Sequence, residues 1–175
     1  MKFLKHLILF VFASLFALSV QAGPVESAFS PDGRAEAMII RTIGAARSNI
    51  RMAAFSFTNP SIIRSLVDAK KRGVDVKIVV DKKANTEHKC NSAMNTLVNA
   101  GIPLRTVSSY KIHHDKYIVV DGQHVQTGSF NYTKAAANSN SENVIVIWND
   151  DANASRFLKH WESRWNQGQN WYCPY

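Results

Sequence analysis

The stretch Ile112-His113-His114-Asp115-Lys116-Tyr117-Ile118-Val119-Val120-Asp121-Gly122 decides how this chain folds. Ile112, His114, Lys116, Ile118 and Val120 share one parity. A pleated strand therefore sends the His114 imidazole and the Lys116 ammonium out of one face, and His113 out of the other. Asp121-Gly122 between apolar runs is a hairpin signal, and Val125-Gln126-Thr127-Gly128 is expected as the returning strand.

Working outward, the flanking segments alternate between helix and strand patterns. Met38, Ile39, Ile43 and Ala46 recur at helical spacing after Ser30-Pro31-Asp32, and Ile50 to Phe57 reads as a strand. Asn59-Pro60 supplies a cap followed by proline at the first helical position. Ile62, Ile63, Leu66 and Val67 form the buried stripe of that helix, and Lys70-Lys71-Arg72-Gly73 closes it with cations and a glycine stop. Val74 to Val80 is the next strand, so strand, helix and strand make a crossover. Asp81 to Lys89 reads as a basic loop with Lys82, Lys83, His88 and Lys89, able to border a substrate groove. Ser92 to Ala100 reads as a helix with Leu97 and Val98 inward, and Leu104 to Val107 as a short strand.

Beyond the hairpin, Asn131 to Ser141 lacks a clear period and reads as a shaped loop. Asn143 to Trp148 reads as the last strand. Asp151 can cap a closing helix whose Phe157, Leu158, Trp161 and Trp165 form a core stripe. The order argues for an α/β fold, a mixed sheet with helices on both faces.

The motif suggests phosphodiester chemistry. An imidazole can attack phosphorus or pass protons near neutral pH, while Lys116 neutralises charge on the non-bridging oxygens. Gly128-Ser129-Phe130-Asn131 adds a hydroxyl and an amide that donate hydrogen bonds to phosphate. Glu142 is placed to accept from the far nitrogen of His114 and fix its tautomer. His113 and His114 make poor joint metal ligands on a regular strand, and neither cysteine has a partner at zinc-ligand spacing, so no metal and no cofactor are expected. His88, His124 and His160 match no motif and read as ordinary surface or packing residues.

His114-Asp115-Lys116, followed by Asp121 after four residues and then by Gly128-Ser129-Phe130-Asn131, resembles the signature of the phospholipase D superfamily, and in particular its small bacterial nucleases. The resemblance extends over nearly the whole chain beyond residue 22. It implies an α/β/α sandwich and a metal-independent phosphodiesterase. It further implies that His114 of one subunit forms a phosphohistidine while His114 of a second protonates the leaving oxygen. Lys116, Ser129 and Asn131 would hold phosphate oxygens, Glu142 would orient His114, and Asp121 would stabilise the motif's turn and charge network. The motif occurs once, and one imidazole cannot serve as nucleophile and proton donor together, so a homodimer with one composite site is expected.

Composition narrows the partners. The chain has 175 residues and a net charge of +8. Met1 to Ala22, with Lys2 and Lys5 before an apolar run and a small-residue end, reads as a cleaved secretory signal. Residues 23–175 then form one domain in the periplasm or outside the cell, with no stable membrane association. Without Lys2 and Lys5 a net +6 remains, which suits an anionic partner. The leading expectation is an endonuclease acting on DNA, with RNA as a further substrate. A phospholipase acting on a lipid such as cardiolipin uses the same motif, and a catalytically silent nucleic-acid-binding protein is the reading from another class. Cys90 and Cys173 are the only cysteines, and a secreted chain permits them to pair.

Overall fold

The computed structural model describes residues 23–86 and 92–172. The signal assigned to residues 1–22, together with His88, Lys89, Cys90 and Cys173, lies outside them. The elements are β1 (Val25–Ser30), α1 (Arg34–Ala45), β2 (Asn49–Ala54), α2 (Pro60–Lys71), β3 (Asp75–Asp81), α3 (Lys82–Thr86) and α4 (Ser92–Asn99). Next come β4 (Leu104–Val107), β5 (Tyr117–Val120), β6 (His124–Gly128), α5 (Lys134–Asn138), β7 (Glu142–Ile147), α6 (Asp151–Gln167) and β8 (Gln169–Asn170).

The crossover forms as its sequence dictates. Asn59 accepts hydrogen bonds from the backbone N–H groups of Ser61 and Ile62, Pro60 opens α2, and Gly73 takes φ 91° just beyond its end. Strands β2 and β3 are then parallel, as are β3 and β4, while β5, β6 and β7 run antiparallel to their neighbours. The full order is β1-β7-β6-β5-β2-β3-β4-β8, a mixed sheet. One face buries Ile39, Ile43, Ile62, Leu66, Met94 and Leu97 from α1, α2 and α4. The other is covered by α6, whose Ala154 and Trp161 pack on Ala53, Val79, Val119 and Val125. The α/β sandwich expected from the sequence is thus the observed one.

Several details differ. Lys82 to Thr86 is a helical turn rather than loop, because the Asp81 carboxylate accepts from the Ala84 N–H at 2.7 Å and caps it. Lys134 to Asn138 is likewise helical, capped by Thr133 and anchored by buried Ala136 and Ala137. Val98 is 37% exposed, since Ala93, Met94 and Leu97 already fill the inward arc of α4. Asp150, not Asp151, caps α6 by accepting from the Asn153 N–H. Strand β1 has no forewarning in the sequence pattern. It is an edge strand whose apolar Val25 and Phe29 point outward, the reverse of the usual signal.

This topology gathers six strand ends. The carboxyl ends of β2, β3 and β4, the amino ends of β5 and β7, and the carboxyl end of β6 lie at one edge of the sheet, where open α/β sheets bind ligands. The hairpin turn lies at the opposite edge. There Asp121 (φ 54°) and Gly122 (φ 70°) both adopt positive φ, and Val120 pairs with His124. Asp121 accepts hydrogen bonds from the backbone N–H groups of Arg47, Ser48 and Asn49 and from the Ser48 hydroxyl. Burial opposes its ionisation, but these donors outweigh it and hold the carboxyl below its ordinary range. A depressed pKa stabilises the fold above the ordinary aspartate range and loses that contribution as pH falls through the folded value. Asp121→Asn is therefore expected to cost about 1–3 kcal/mol at neutral pH. The difference from wild type should shrink towards zero in acid, as urea denaturation at several pH values will read out.

Candidate active site

The segment carrying the motif is fastened before it becomes strand. Residues 112–116 form irregular extended backbone, and β5 begins only at Tyr117, so the expected strand is shorter at its amino end. The alternation survives because the Asp81 carboxylate, 3% exposed, accepts from the His113 N–H at 2.7 Å. His113 points inward and His114 is exposed on the opposite side. Lys116 is buried, and its ammonium donates to the His114 carbonyl at 2.8 Å. Phe55 backs both groups. Its ring meets the His114 ring edge-on at 4.7 Å between centroids and lies 5.4 Å from Lys116 Nζ. Asn85 holds that turn in place, donating to the Phe55 carbonyl and accepting from the Phe57 N–H.

Burial pushes the Lys116 ammonium below its ordinary range, and the nearby carboxylates of Asp115 and Glu142 partly restore it. Lys116 forms no ion pair among the described residues. Its donors are consequently available to an anion in the cleft.

Gly128 leads into Ser129 through a close backbone approach. A Cβ at Gly128 would lie 2.2 Å from the Asn143 carbonyl oxygen, so no larger residue fits there without movement. The Ser129 N–H donates to that same oxygen. The Ser129 hydroxyl donates to Glu142 at 2.6 Å and accepts from the Asn143 N–H. The other Glu142 oxygen accepts from Asn140. The bond from His114 to Glu142 expected from the sequence is not formed among the described residues. Glu142 instead fixes the Ser129 hydroxyl and bears electrostatically on Lys116. A parallel bridge between Phe57 and Tyr132 brings Asn131 alongside the turn that carries Phe55. The Asn131 Oδ1 atom is buried with no hydrogen-bond partner among the described residues.

The structure thus brings His114, Lys116, Ser129, Asn131 and Glu142 to one sheet edge, and leaves Asp121 at the other. Sequence reasoning missed Phe55, Asp81 and His160, each of which reaches the site through space. An open cleft of about 460 Å³ lies between His114, Lys116 and Thr127 on the sheet and Arg156, Phe157 and His160 on α6. The Asp115 carboxylate lies 2.8 Å from His160 Nε2 and 3.4 Å from His113 Nδ1, linking α6 to the motif. Burial lowers the pKa of His113 and keeps it neutral at pH 7, although Asp115 and Asp81 oppose the shift. Among the described residues, no group of three or more His, Cys, Asp or Glu is arranged to hold a metal ion.

A family model described as "Cardiolipin synthase, PLD-like domain" matches residues 39–165, from α1 through α6. The chain belongs to the phospholipase D superfamily. Nuc from Salmonella typhimurium, a phospholipase D family member of known structure, is 53% identical, with a TM-score of 0.83 over 85% of this chain and 97% of that one. A phospholipase D from Rickettsia bellii is 39% identical over 141 residues, 80% of this chain and 68% of the relative. A mitochondrial cardiolipin hydrolase from Danio rerio is 37% identical over 122 residues, 67% of this chain and 53% of its own length. As a superfamily member with these relatives, the chain is a phosphodiesterase.

This phospholipase D-type site carries two expectations. In ¹³Cε NMR, Lys116 should titrate below the exposed lysines, and inorganic phosphate should move its midpoint upward, since an anion favours the ammonium. Gly128→Ala should destabilise the chain by about 1–3 kcal/mol in urea denaturation, because relief of the clash disrupts the bond between Ser129 and Asn143.

Proposed function

We propose that the chain is a metal-independent endonuclease that hydrolyses DNA, and RNA as well, through a phosphohistidine in the composite site of a homodimer. The observation that carries this reading is the open sheet edge where exposed His114 stands beside buried, unpaired Lys116. A ring nitrogen of His114 attacks phosphorus, and the bond to the leaving oxygen breaks. The partner's His114 gives that oxygen a proton. Water then attacks phosphorus while the partner's His114 accepts its proton, and the phosphorus–nitrogen bond breaks to return the free imidazole. Lys116, Ser129 and Asn131 hold the non-bridging oxygens as charge develops on them. Glu142 acts through the Ser129 hydroxyl and the charge on Lys116, and Asp121 acts from the far turn on the fold.

The dimer reading is supported by the outer face of β1 and β7. Val25, Phe29 and Ile145 are exposed there, on the strand that starts with Glu142 and its neighbour. An apolar sheet face of this kind suits burial against a second copy. Secretion after cleavage at Ala22 completes the proposal and places the domain, residues 23–175, in the periplasm or outside the cell.

Polynucleotide is favoured by the net charge and by Arg156 in the cleft wall, since phosphate contacts dominate sequence-independent binding. The names of the Rickettsia and Danio relatives favour a second reading, phospholipid hydrolysis at the same histidine. No helix among the described residues is long and apolar enough to cross a membrane.

The deciding experiment is nicking of supercoiled plasmid by the purified mature chain in excess EDTA, alongside His114→Ala and a cardiolipin-release assay. Nicking should survive EDTA and vanish in the variant. Loss in EDTA would restore a metal to the mechanism, and lipid release without nicking would move the substrate to the membrane. The composite site has its own check: equal amounts of wild-type and His114→Ala chains, unfolded and refolded together, should give roughly one quarter of the activity of wild type alone at the same total chain concentration. Independent sites would give roughly one half.

A further inference from the structure

A second groove lies beside the motif and takes no part in the chemistry of His114. It occupies about 370 Å³ between α3, the end of β4 and the segment leading to His114. Its cationic lining is Lys82 and Lys83 on α3 and Lys111 three residues before His114. Among the described residues that line it Asp81 is the only carboxylate, and that group is buried and taken up by the Ala84 and His113 N–H groups. The surface that these described residues present is therefore positive. Tyr110, 39% exposed, stands in the same wall, with the Arg164 guanidinium 4.6 Å from its ring centre.

Arg164, through its contact with Tyr110, relates this groove to the cleft along α6. His160 borders the catalytic cleft, and Arg164 is one helical turn farther along α6, an axial advance of about 6 Å. In a nucleic-acid strand successive nucleotides rise by about 3.4 Å per strand in a duplex and by more when extended, so this advance along α6 is of the size of one or two nucleotide steps.

We propose that this groove is a subsite for the polynucleotide strand flanking the scissile phosphate, an inference that rests on the nuclease reading. Lys82, Lys83 and Lys111 hold the adjoining phosphates, and Tyr110, steadied by Arg164, offers a ring on which the neighbouring base stacks. Stacking tolerates every base, and phosphate contacts carry no sequence, so the subsite adds affinity without sequence preference.

The test compares a labelled single-stranded oligonucleotide with bis(p-nitrophenyl) phosphate, a diester too small to reach the groove. The combined variant Lys82→Ala, Lys83→Ala, Lys111→Ala should raise KM for the oligonucleotide by about tenfold or more and lower its salt dependence by about 0.7 log unit per lost phosphate contact. Tyr110→Ala should raise the same KM about tenfold and Tyr110→Phe hardly at all. Turnover of the small diester should stay at the wild-type level in every case, and arginine at the three lysine positions should restore oligonucleotide binding. Equal losses on both substrates, or an unchanged KM and salt slope on the oligonucleotide, would overturn the subsite while leaving the nuclease intact. A wild-type chain that turns over the small diester and leaves the oligonucleotide whole would overturn the nuclease reading and the subsite together.

Discussion

The site depends on one buried carboxylate. Asp81 ends β3, and each of its oxygens accepts a backbone N–H: that of Ala84, which starts the turn of α3, and that of His113, which precedes the exposed imidazole. A carboxylate in nearly dry surroundings is costly unless its lone pairs are met, and here both partners are fixed backbone donors. The consequence reaches further than the two bonds. Residues 112–116 lack strand partners, so their alternation is not enforced by a ladder. Anchoring His113 inward sets the parity of the residues after it, and His114 and Lys116 fall on the other side because side chains alternate along extended backbone.

That division gives the two sides of the motif different tasks. His113, Asp115 and Tyr117 face α6, where Asp115 meets His160 and Tyr117 packs edge-on against Phe157 at 4.9 Å. Trp161 continues the contact one turn on, its indole donating to the Met52 carbonyl beneath a stack with Trp165. This side is packing and hydrogen bonds, opening at its rim, where Asp115, Tyr117, Phe157 and His160 border the cleft. The side bearing His114 and Lys116 has one aromatic ring behind it and open space in front. Holding one side firmly lets the other present His114 and Lys116 with little freedom to lose on binding an anion.

The sequence made legible what depends on neighbours along the chain. The crossover, the capped α2, the positive-φ turn at Asp121-Gly122 and the opposed directions of His113 and His114 all follow from spacing within about ten residues. Ser129, Asn131 and Glu142 were also legible as companions of His114, because hairpin and antiparallel return bring the end of β6 and the start of β7 back to it. What spacing could not supply was which hydrogen bond each would make. Glu142 has several donors within reach, and Ser129, fixed by the approach at Gly128, is the one the backbone aims at it. Phe55, Asp81 and His160 were invisible for a related reason. Their importance comes from strands and helices that are adjacent in space but far apart in the sequence. The short helices α3 and α5 each rest on one cap and one or two buried residues, too little to leave a period.

Lys116 shows how the same packing becomes chemistry. A buried ammonium usually finds a carboxylate, and the pair then cancels. Here Asp115 is directed to His160 and Glu142 to Ser129 and Asn140, so both carboxylates favour the cation at Lys116 without occupying its donors. The hydrogen bond from Lys116 to the His114 carbonyl fixes the ammonium beside the backbone of His114. Desolvation thus leaves a positive charge stabilised from a distance and incompletely met at close range. In the mechanism proposed above an incoming phosphodiester is the anion that completes it, and the completion is greatest when negative charge accumulates on the equatorial oxygens, which is the condition for binding the transition state better than the substrate.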